Sequence, residues 1–551
     1  MQHKFKEENI KQAIINNFPF PEFNPGQFEA IYKSIDSYLS GVEHTILSCP
    51  TGVGKSVIAM TTHNAISELL NNKNQLTTII LATTKGLQDQ YNKDFSRELV
   101  DLKGKTNYYC HWDIFEGYNS PKCIEKVLSQ ECSPDRCPYV NARDRWQLHD
   151  GAKTTNSSLM IASPHIIPVE SPVDLCIIDE CHEIDKVLIS QSIITFDINE
   201  YASTEKYYKD FKNEYLRFIS TFKKYLPTDR AFLTTERLLE DDDLTLYHFA
   251  DIVSSSLSTI TRGLTEVNSK NYKFVLIQRE LQELNEKLQY FINPIYSNSE
   301  WVMDINENGS ISLTPIKSSG IMADNKLFRK AQQFIHMSAT IGGISTYCSN
   351  LGIEEDKITF IDIDNPIPIE QRKINLENLV KINRFTNIID IVNSIEPIIR
   401  KESGNGIIHT VSFKLANDIK NASPSDIRRR MLVSNNRKEI LDKLKNSKDA
   451  IILSPSVETG YDFKDELARW QIIAKVPFLN LGDNYVNVRK DKNNNWYTRE
   501  AVLRLVQSCG RIVRGLSDYG NTYIIDENVL RLITSNTDMF PNWWLNALDM
   551  K

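Results

Sequence analysis

An α/β architecture built on parallel sheets is the fold class that this sequence predicts, and three observations predict it. The first is Cys49-Pro50-Thr51-Gly52-Val53-Gly54-Lys55-Ser56, a glycine-containing turn between the apolar run Thr45-Ile46-Leu47 and the helix opening Val57-Ile58-Ala59-Met60. The second is the return of that rhythm, an apolar run passing into a polar loop that starts a helix, at residues 77–90. The third is a further set of such runs beyond residue 366, at residues 406–412, 450–454 and 471–478.

The first of these is a phosphate-loop context. Backbone N–H groups of the turn and the helix start face phosphate oxygens, Lys55 reaches the β and γ phosphates, and the Ser56 hydroxyl can ligate Mg²⁺. Thr51, Gly52, Val53 and Gly54 complete the cradle, and ATP is the expected ligand. Cysteine stands at position 49, where the general pattern has glycine. Upstream, the prolines of Phe18-Pro19-Phe20-Pro21 and Asn24-Pro25-Gly26 forbid a continuous helix before Gln27. The Gln27 carboxamide can read an adenine edge or simply open its helix in solvent.

At 551 residues the chain exceeds one ordinary domain, and length suggests roughly three or four. Its 41% hydrophobic and 25% charged residues are those of a globular protein, and no apolar run reaches the roughly 18 residues of a membrane span. The first residues lack the apolar core of a signal peptide, so a cytoplasmic location is expected. The Asn-, Ile- and Lys-rich composition points to an AT-rich genome, bacterial or phage. A net charge of −7 advertises no nucleic-acid binder, yet a locally basic groove suffices for one. Nine cysteines in such a chain argue against a disulfide framework.

In chain order, Thr83-Thr84-Lys85 closes the second apolar run, on the sheet edge where ligands gather, and is a candidate nucleic-acid contact. Cys110, Cys123, Cys132 and Cys137 follow, separated by twelve, eight and four residues in a loop-rich stretch with several aromatics. Four thiolates brought together can hold a [4Fe-4S] cluster or Zn²⁺, and buried free thiols are the alternative. Leu175-Cys176-Ile177-Ile178 then ends in Asp179-Glu180-Cys181-His182. Asp179 is placed to hold Mg²⁺, Glu180 to orient and deprotonate water, and His182 to couple the site to its neighbours.

Residues 195–295 read as helical, with an apolar stripe at Ile277, Leu281, Leu284, Leu288 and Phe291. Residues 299–316 alternate around Asn308-Gly309, a hairpin signal. Ser338 and Thr340, at the end of the next apolar run, offer hydroxyls that link hydrolysis to movement. The run at 450–454 leads to Glu458-Thr459-Gly460-Tyr461-Asp462. Arg428, Arg429, Arg430, Arg437 and Lys438 either bind phosphate or face solvent. Finally Arg511 and Arg514, three apart after Gln507, are expected on one helical face, aimed at the phosphate loop as arginine fingers.

These pieces in this order resemble the superfamily 2 DNA helicases of the XPD/DinG iron-sulfur type. The resemblance rests on the phosphate loop, Thr83-Thr84-Lys85, Asp179-Glu180-Cys181-His182, Ser338-Ala339-Thr340, Glu458 to Asp462, and Gln507-x-x-Gly510-Arg511-x-x-Arg514. It departs in Cys181, which replaces alanine, and in the cysteine spacing. It implies two RecA-like motor domains, the first carrying both inserts: first-domain segments at 1–104, 166–194 and 319–365, a cluster insert at 105–165, an arch-like insert at 195–318, and a second domain at 366–551. It further implies ATP with Mg²⁺, a [4Fe-4S] cluster, and 5′ to 3′ translocation on single-stranded DNA with unwinding of tailed or forked duplexes. In that reading Lys55, Asp179, Glu180, Gln507, Arg511 and Arg514 are catalytic, while Glu458, Gly460 and Asp462 also meet the nucleotide. A monomer away from membranes is expected. Two other readings stand beside it, an RNA or RNA-DNA helicase with the same motor and a nucleotide-switched DNA-binding ATPase.

Overall fold

The computed structural model describes residues 5–70, 76–112, 120–163, 166–167, 171–196, 232–234, 300–305, 310–319, 326–455, 463 and 465–549, with a few isolated helical positions between 254 and 286. In chain order the strands are β1 (His44–Ser48), β2 (Thr78–Ala82), β3 (Leu99–Leu102), β4 (Ala152–Asn156), β5 (Val173–Asp179) and β6 (Ile194–Phe196). Next come β7 (Phe232–Thr234), β8 (Glu300–Ile305), β9 (Ile311–Pro315), β10 (Ala331–Ser338), β11 (Ile358–Asp362) and β12 (Ile374–Asn375). The last are β13 (Gly406–His409), β14 (Met431–Val433), β15 (Ile451–Ser454), β16 (Trp470–Ile473), β17 (Asn521–Ile524) and β18 (Leu548–Asp549).

They form two seven-stranded sheets, ordered β11-β1-β10-β5-β2-β4-β3 and β14-β15-β13-β16-β17-β12-β18. Every pairing in both is parallel. β1, β2, β13, β15 and β16 are covered on both faces and buried throughout, and each has an apolar centre with polar residues mostly at its ends. Alternate residues go to opposite faces. In the first sheet Leu47, Ile80, Ile177 and Ile335 pack beneath the helix Lys55–Leu69, while Ile46, Ile79, Ile178 and Phe334 join a second core with Trp146 and Tyr347.

The strand order positions the motifs. β10 lies between β1 and β5, pairing Ser338 with Ser48 and Met337 with Asp179. The ends of three strands that are distant in sequence therefore meet at one sheet edge, where α/β folds bind ligands.

Two differences from expectation concern the inserts. Residues 152–156, within the cysteine-rich stretch, form β4 between β2 and β3, so the first seven-stranded sheet reaches into that range. The expected hairpin is present as β8 paired with β9, and a four-stranded antiparallel sheet, β6-β9-β8-β7, forms around it. The helical stripe from Ile277 to Phe291 lies outside the described residues apart from Leu284, which is buried.

Candidate functional site: the cleft between the motor domains

The loop between β1 and the helix Lys55–Leu69 is held open by backbone geometry. Gly52 and Gly54 both have φ of +89°, a region that side chains rarely adopt. Space agrees with the dihedrals: a Cβ on Gly52 would lie 2.9 Å from the Arg514 carbonyl oxygen, and one on Gly54 would lie 2.8 Å from Gln27 Nε2. Cys49, at the position where glycine was expected, is fully buried, and its N–H donates to the Ser338 carbonyl at 2.7 Å.

Gln27 opens the helix Gln27–Leu39 and is 2% exposed. Its Nε2 donates to the Val53 carbonyl at 2.9 Å, and its Oε1 accepts from the Asn24 N–H at 3.0 Å. The carboxamide thus braces the phosphate loop, and reading a base would mean exchanging one of these partners.

Across the loop stand the carboxylates at the tip of β5. Lys55 Nζ lies 3.0 Å from Glu180 Oε1. Burial opposes the lysine's charge, but Glu180 and Asp179 outweigh it and raise its pKa. Burial likewise works against the Glu180 carboxylate, and Lys55 and His182 more than offset that, so Glu180 is held ionised. Asp179, 1% exposed, is pushed the other way, chiefly by burial, while it accepts from Tyr91 Oη at 2.9 Å and from the Glu180 N–H at 2.9 Å. Glu180 itself has φ of 53°, a left-handed backbone that turns its carboxylate out of the strand and costs about 1 kcal/mol or more.

His182 joins this centre to its surroundings. Its Nδ1 lies 2.7 Å from Ser338 Oγ, which in turn lies 3.5 Å from Glu180 Oε2. Its Nε2 meets the Gln507 amide of the second domain. A relay of contacts therefore runs Gln507, His182, Ser338, Glu180. Thr340 is fully buried, and among the described residues its hydroxyl has no hydrogen-bond partner.

Gln507 lies near the end of the helix Asn494–Cys509. The two arginines do not share a helical face as expected: the helix stops at Cys509, Gly510 caps it, and Arg511 and Arg514 occupy the following loop. The reason is packing, because this loop lays the Arg514 backbone against Gly52, where a continuing helix would not fit. The charge of Arg514 reaches Glu180 and lowers it, whereas the charge of Arg511 is felt by His409 at the end of β13. Glu458, Gly460 and Asp462 lie outside the described residues.

On the outer half of the same sheet edge, Thr84 caps the helix Lys85–Asp94 by accepting from the Leu87 N–H at 3.2 Å. Thr84 and Lys85 are exposed, Thr83 is half-buried, and Lys85 Nζ donates to Asn107 Oδ1 at 2.8 Å. Tyr91, on this helix, was not anticipated. It follows Leu87 by one turn, and the only sequence signal for its role is a hydroxyl on an otherwise core-facing position.

The cysteines of 110–137 are a different case. Cys123 is buried in the helix Pro121–Leu128, and Cys110, Cys132 and Cys137 are half-buried. Burial raises the Cys132 thiol, and Cys110 and Cys137 are near enough to raise it further. Among the described residues no group of three or more His, Cys, Asp or Glu side chains is gathered at metal-holding distance. The donor chemistry, four thiols on loop and helix ends, fits an iron-sulfur cluster or zinc in kind.

Comparison with known proteins agrees with this layout. Residues 20–224 match the family described as "Type III restriction enzyme, res subunit", and residues 395–547 match "Helicase C-terminal domain". The chain is 31% identical over 108 residues to a regulator of telomere elongation helicase 1 homolog of Caenorhabditis briggsae, a match covering 17% of this chain and 11% of that protein. It is 26% identical over 161 residues to the general transcription and DNA repair factor IIH helicase subunit XPD of Dictyostelium discoideum, covering 27% and 20%. The matches to these curated relatives therefore span a fifth of their length or less. In fold it is similar to a solved XPD helicase, with a TM-score of 0.59 at 12% identity over 97% of this chain and 100% of that one. It is also similar to S. tokodaii Xpd4, with a TM-score of 0.56 at 14% identity over 95% and 100%. The motifs thus stand in order along two parallel-sheet domains, a restriction-enzyme res-subunit model matches the first, a helicase C-terminal model matches the second, and the fold is similar to that of solved XPD helicases.

Proposed function

We propose that the protein is an ATP-dependent DNA helicase that moves 5′ to 3′ along single-stranded DNA and separates duplex strands ahead of it. One observation carries this reading. The relay through His182 joins Glu180 in the first domain to Gln507 in the second, so the hydrolytic carboxylate and the relative placement of the two domains are one network.

ATP would enter with its phosphates on the amides of residues 51–56, drawing Lys55 away from Glu180 toward the β and γ phosphates. Ser56 and Asp179 are the donors that fit Mg²⁺, which when bound would neutralise charge on those phosphates. Glu180, freed from Lys55, accepts a proton from water aligned toward the γ phosphate. Arg514, and Arg511 once its loop shifts, would stabilise charge arriving on the transferred phosphoryl group. Glu458, Gly460 and Asp462 belong to the proposed nucleotide set, and Thr83, Thr84 and Lys85 to the proposed DNA backbone contacts. Cys110, Cys123, Cys132 and Cys137 would hold the cluster, whose contribution is to tie a loop-rich segment together. Hydrolysis removes the charge that draws the domains together, and alternating grip on the strand converts this into movement.

The test is strand displacement by anaerobically purified protein on matched duplexes with a 5′ or a 3′ single-stranded DNA tail. Displacement confined to the 5′-tailed substrate is expected. Displacement from the 3′ tail alone would overturn the polarity, stimulation by RNA alone would overturn the substrate, and DNA-stimulated hydrolysis without displacement would leave a switch or translocase.

A further inference from the structure

Away from the nucleotide, the two motor domains meet through charges buried from water. The helix Ile184–Ser190 begins two residues after His182, and its Asp185 is 2% exposed. Asp185 Oδ2 accepts from Arg489 Nη2 of the second domain at 2.8 Å, while Oδ1 accepts from Ser318 Oγ, three residues past β9, at 2.6 Å. Arg489 is 3% exposed, donates to Tyr485 Oη at 3.0 Å and lies 4.1 Å over the Trp496 ring. Tyr485 Oη in turn donates to the Pro315 carbonyl at the end of β9 at 3.1 Å.

The surrounding contacts tie the same three parts together. Val488 packs with Val302 of β8 and with Ile316, and at the rim Lys492 Nζ lies 3.2 Å from Glu300 Oε1. The helix Asn484–Lys492 of the second domain therefore holds the hairpin of an insert that interrupts the first. Directly after it runs the helix Asn494–Cys509, whose far end carries Gln507 to His182. Asn494 to Gln507 is about 20 Å of rigid backbone.

Removing either partner of such a pair leaves the other charged in surroundings that cannot solvate it, so its geometry is held tightly. We propose that Asp185 and Arg489 are positioning residues at a three-way joint. They make the hairpin β8–β9 travel with the second motor domain, so that each closing of the cleft at Gln507 and His182 moves the insert. The proposal rests on the motor reading, because it assigns the insert's motion to the nucleotide cycle.

The experiment uses the full chain and the Arg489→Met variant. Hydrogen exchange across residues 300–316 is followed with and without a non-hydrolysable ATP analogue, beside ATP turnover and strand displacement on the same preparations. In the wild type the analogue changes exchange in the hairpin. In R489M the hairpin no longer responds, ATP turnover stays within about twofold, and strands displaced per ATP hydrolysed fall at least about tenfold. An equal hairpin response in both proteins overturns the joint, as does a proportional loss of hydrolysis and displacement. Wild-type displacement separately decides the motor reading, while the exchange result needs no unwinding.

Should R489M not fold, the exposed rim carries the same question. Lys492→Glu is expected to uncouple the hairpin response partly, and the exchanged pair Glu300→Lys with Lys492→Glu to restore it. Restoration supports the joint, and an unrestored response overturns it.

Discussion

Glu180 has its charge set by neighbours and its direction set by a left-handed backbone, and the two needs are met by different groups. Lys55 and His182 keep it ionised against burial, and the Asp179 carboxylate holds its N–H. Replacing Glu180 by Gln keeps the shape and removes the base. ATP turnover is expected to fall roughly 10²–10⁴-fold while nucleotide binding persists, as steady-state hydrolysis beside equilibrium titration would check. Because the folded carboxylate titrates below its ordinary value, the stability that it contributes is present at neutral pH and is lost as pH falls through that lowered value. Tyr91→Phe acts on the partner acid: Asp179 loses a donor to its charged form and titrates still higher. The Mg²⁺ concentration for half-maximal hydrolysis should then rise by about tenfold, the lower end of what one charged hydrogen bond of about 1.5–3 kcal/mol allows. An unchanged Mg²⁺ requirement would place Tyr91 outside the site.

At the scale of elements, the phosphate loop and the loop after Gly510 are built for each other. Alanine at Gly52 would meet both an unsuitable φ and the Arg514 carbonyl, so Gly52→Ala should lower stability by about 1–3 kcal/mol and raise the KM for ATP. A melt with an ATP titration measures both. The sequence makes the central strands legible because burial on both faces leaves them apolar. β4 escapes notice because Lys153, Thr154 and Thr155 are polar, and two of them are accommodated only by backbone acceptors on neighbouring strands: Thr154 Oγ1 donates to the Ile80 carbonyl at 3.0 Å and Thr155 Oγ1 to the Leu102 carbonyl at 2.9 Å. The nucleotide residues announce themselves by spacing along the chain. The Asp185–Arg489 pair cannot, because its partners are 304 residues apart and each alone resembles an ordinary surface charge. The arginine loop was misread for a related reason: a spacing of three fits a helix, and only the contact with Gly52 shows that the helix has ended.

For the whole molecule, the separation between chemistry and work is the property to measure. The four cysteines precede the helix Pro138–Leu148, which packs Trp146 into the first domain's second core, and none of them is a member of the relay through Gln507, His182, Ser338 and Glu180. On the proposed cluster reading, Cys123→Ser is expected to keep ATP turnover within about twofold, to lose strand displacement and to lose the visible absorption of an iron-sulfur chromophore. Metal analysis of the wild type separates iron from zinc. Among the described residues no helix is long and apolar enough to cross a membrane.

The place of β10 has a consequence for how the chain reaches its shape. β1 and β5 are joined only through β10, which pairs with both, and β10 follows the whole inserted segment in sequence. During synthesis, the strand that bridges β1 and β5 emerges only after roughly 150 residues have followed the acid box, and such distant pairings are slow to form. Until then the phosphate loop lacks the Ser338 carbonyl that fixes Cys49. A nascent chain halted before residue 331 should bind no nucleotide, however complete its phosphate loop and acid box, so the ability to hold ATP arrives late and all at once.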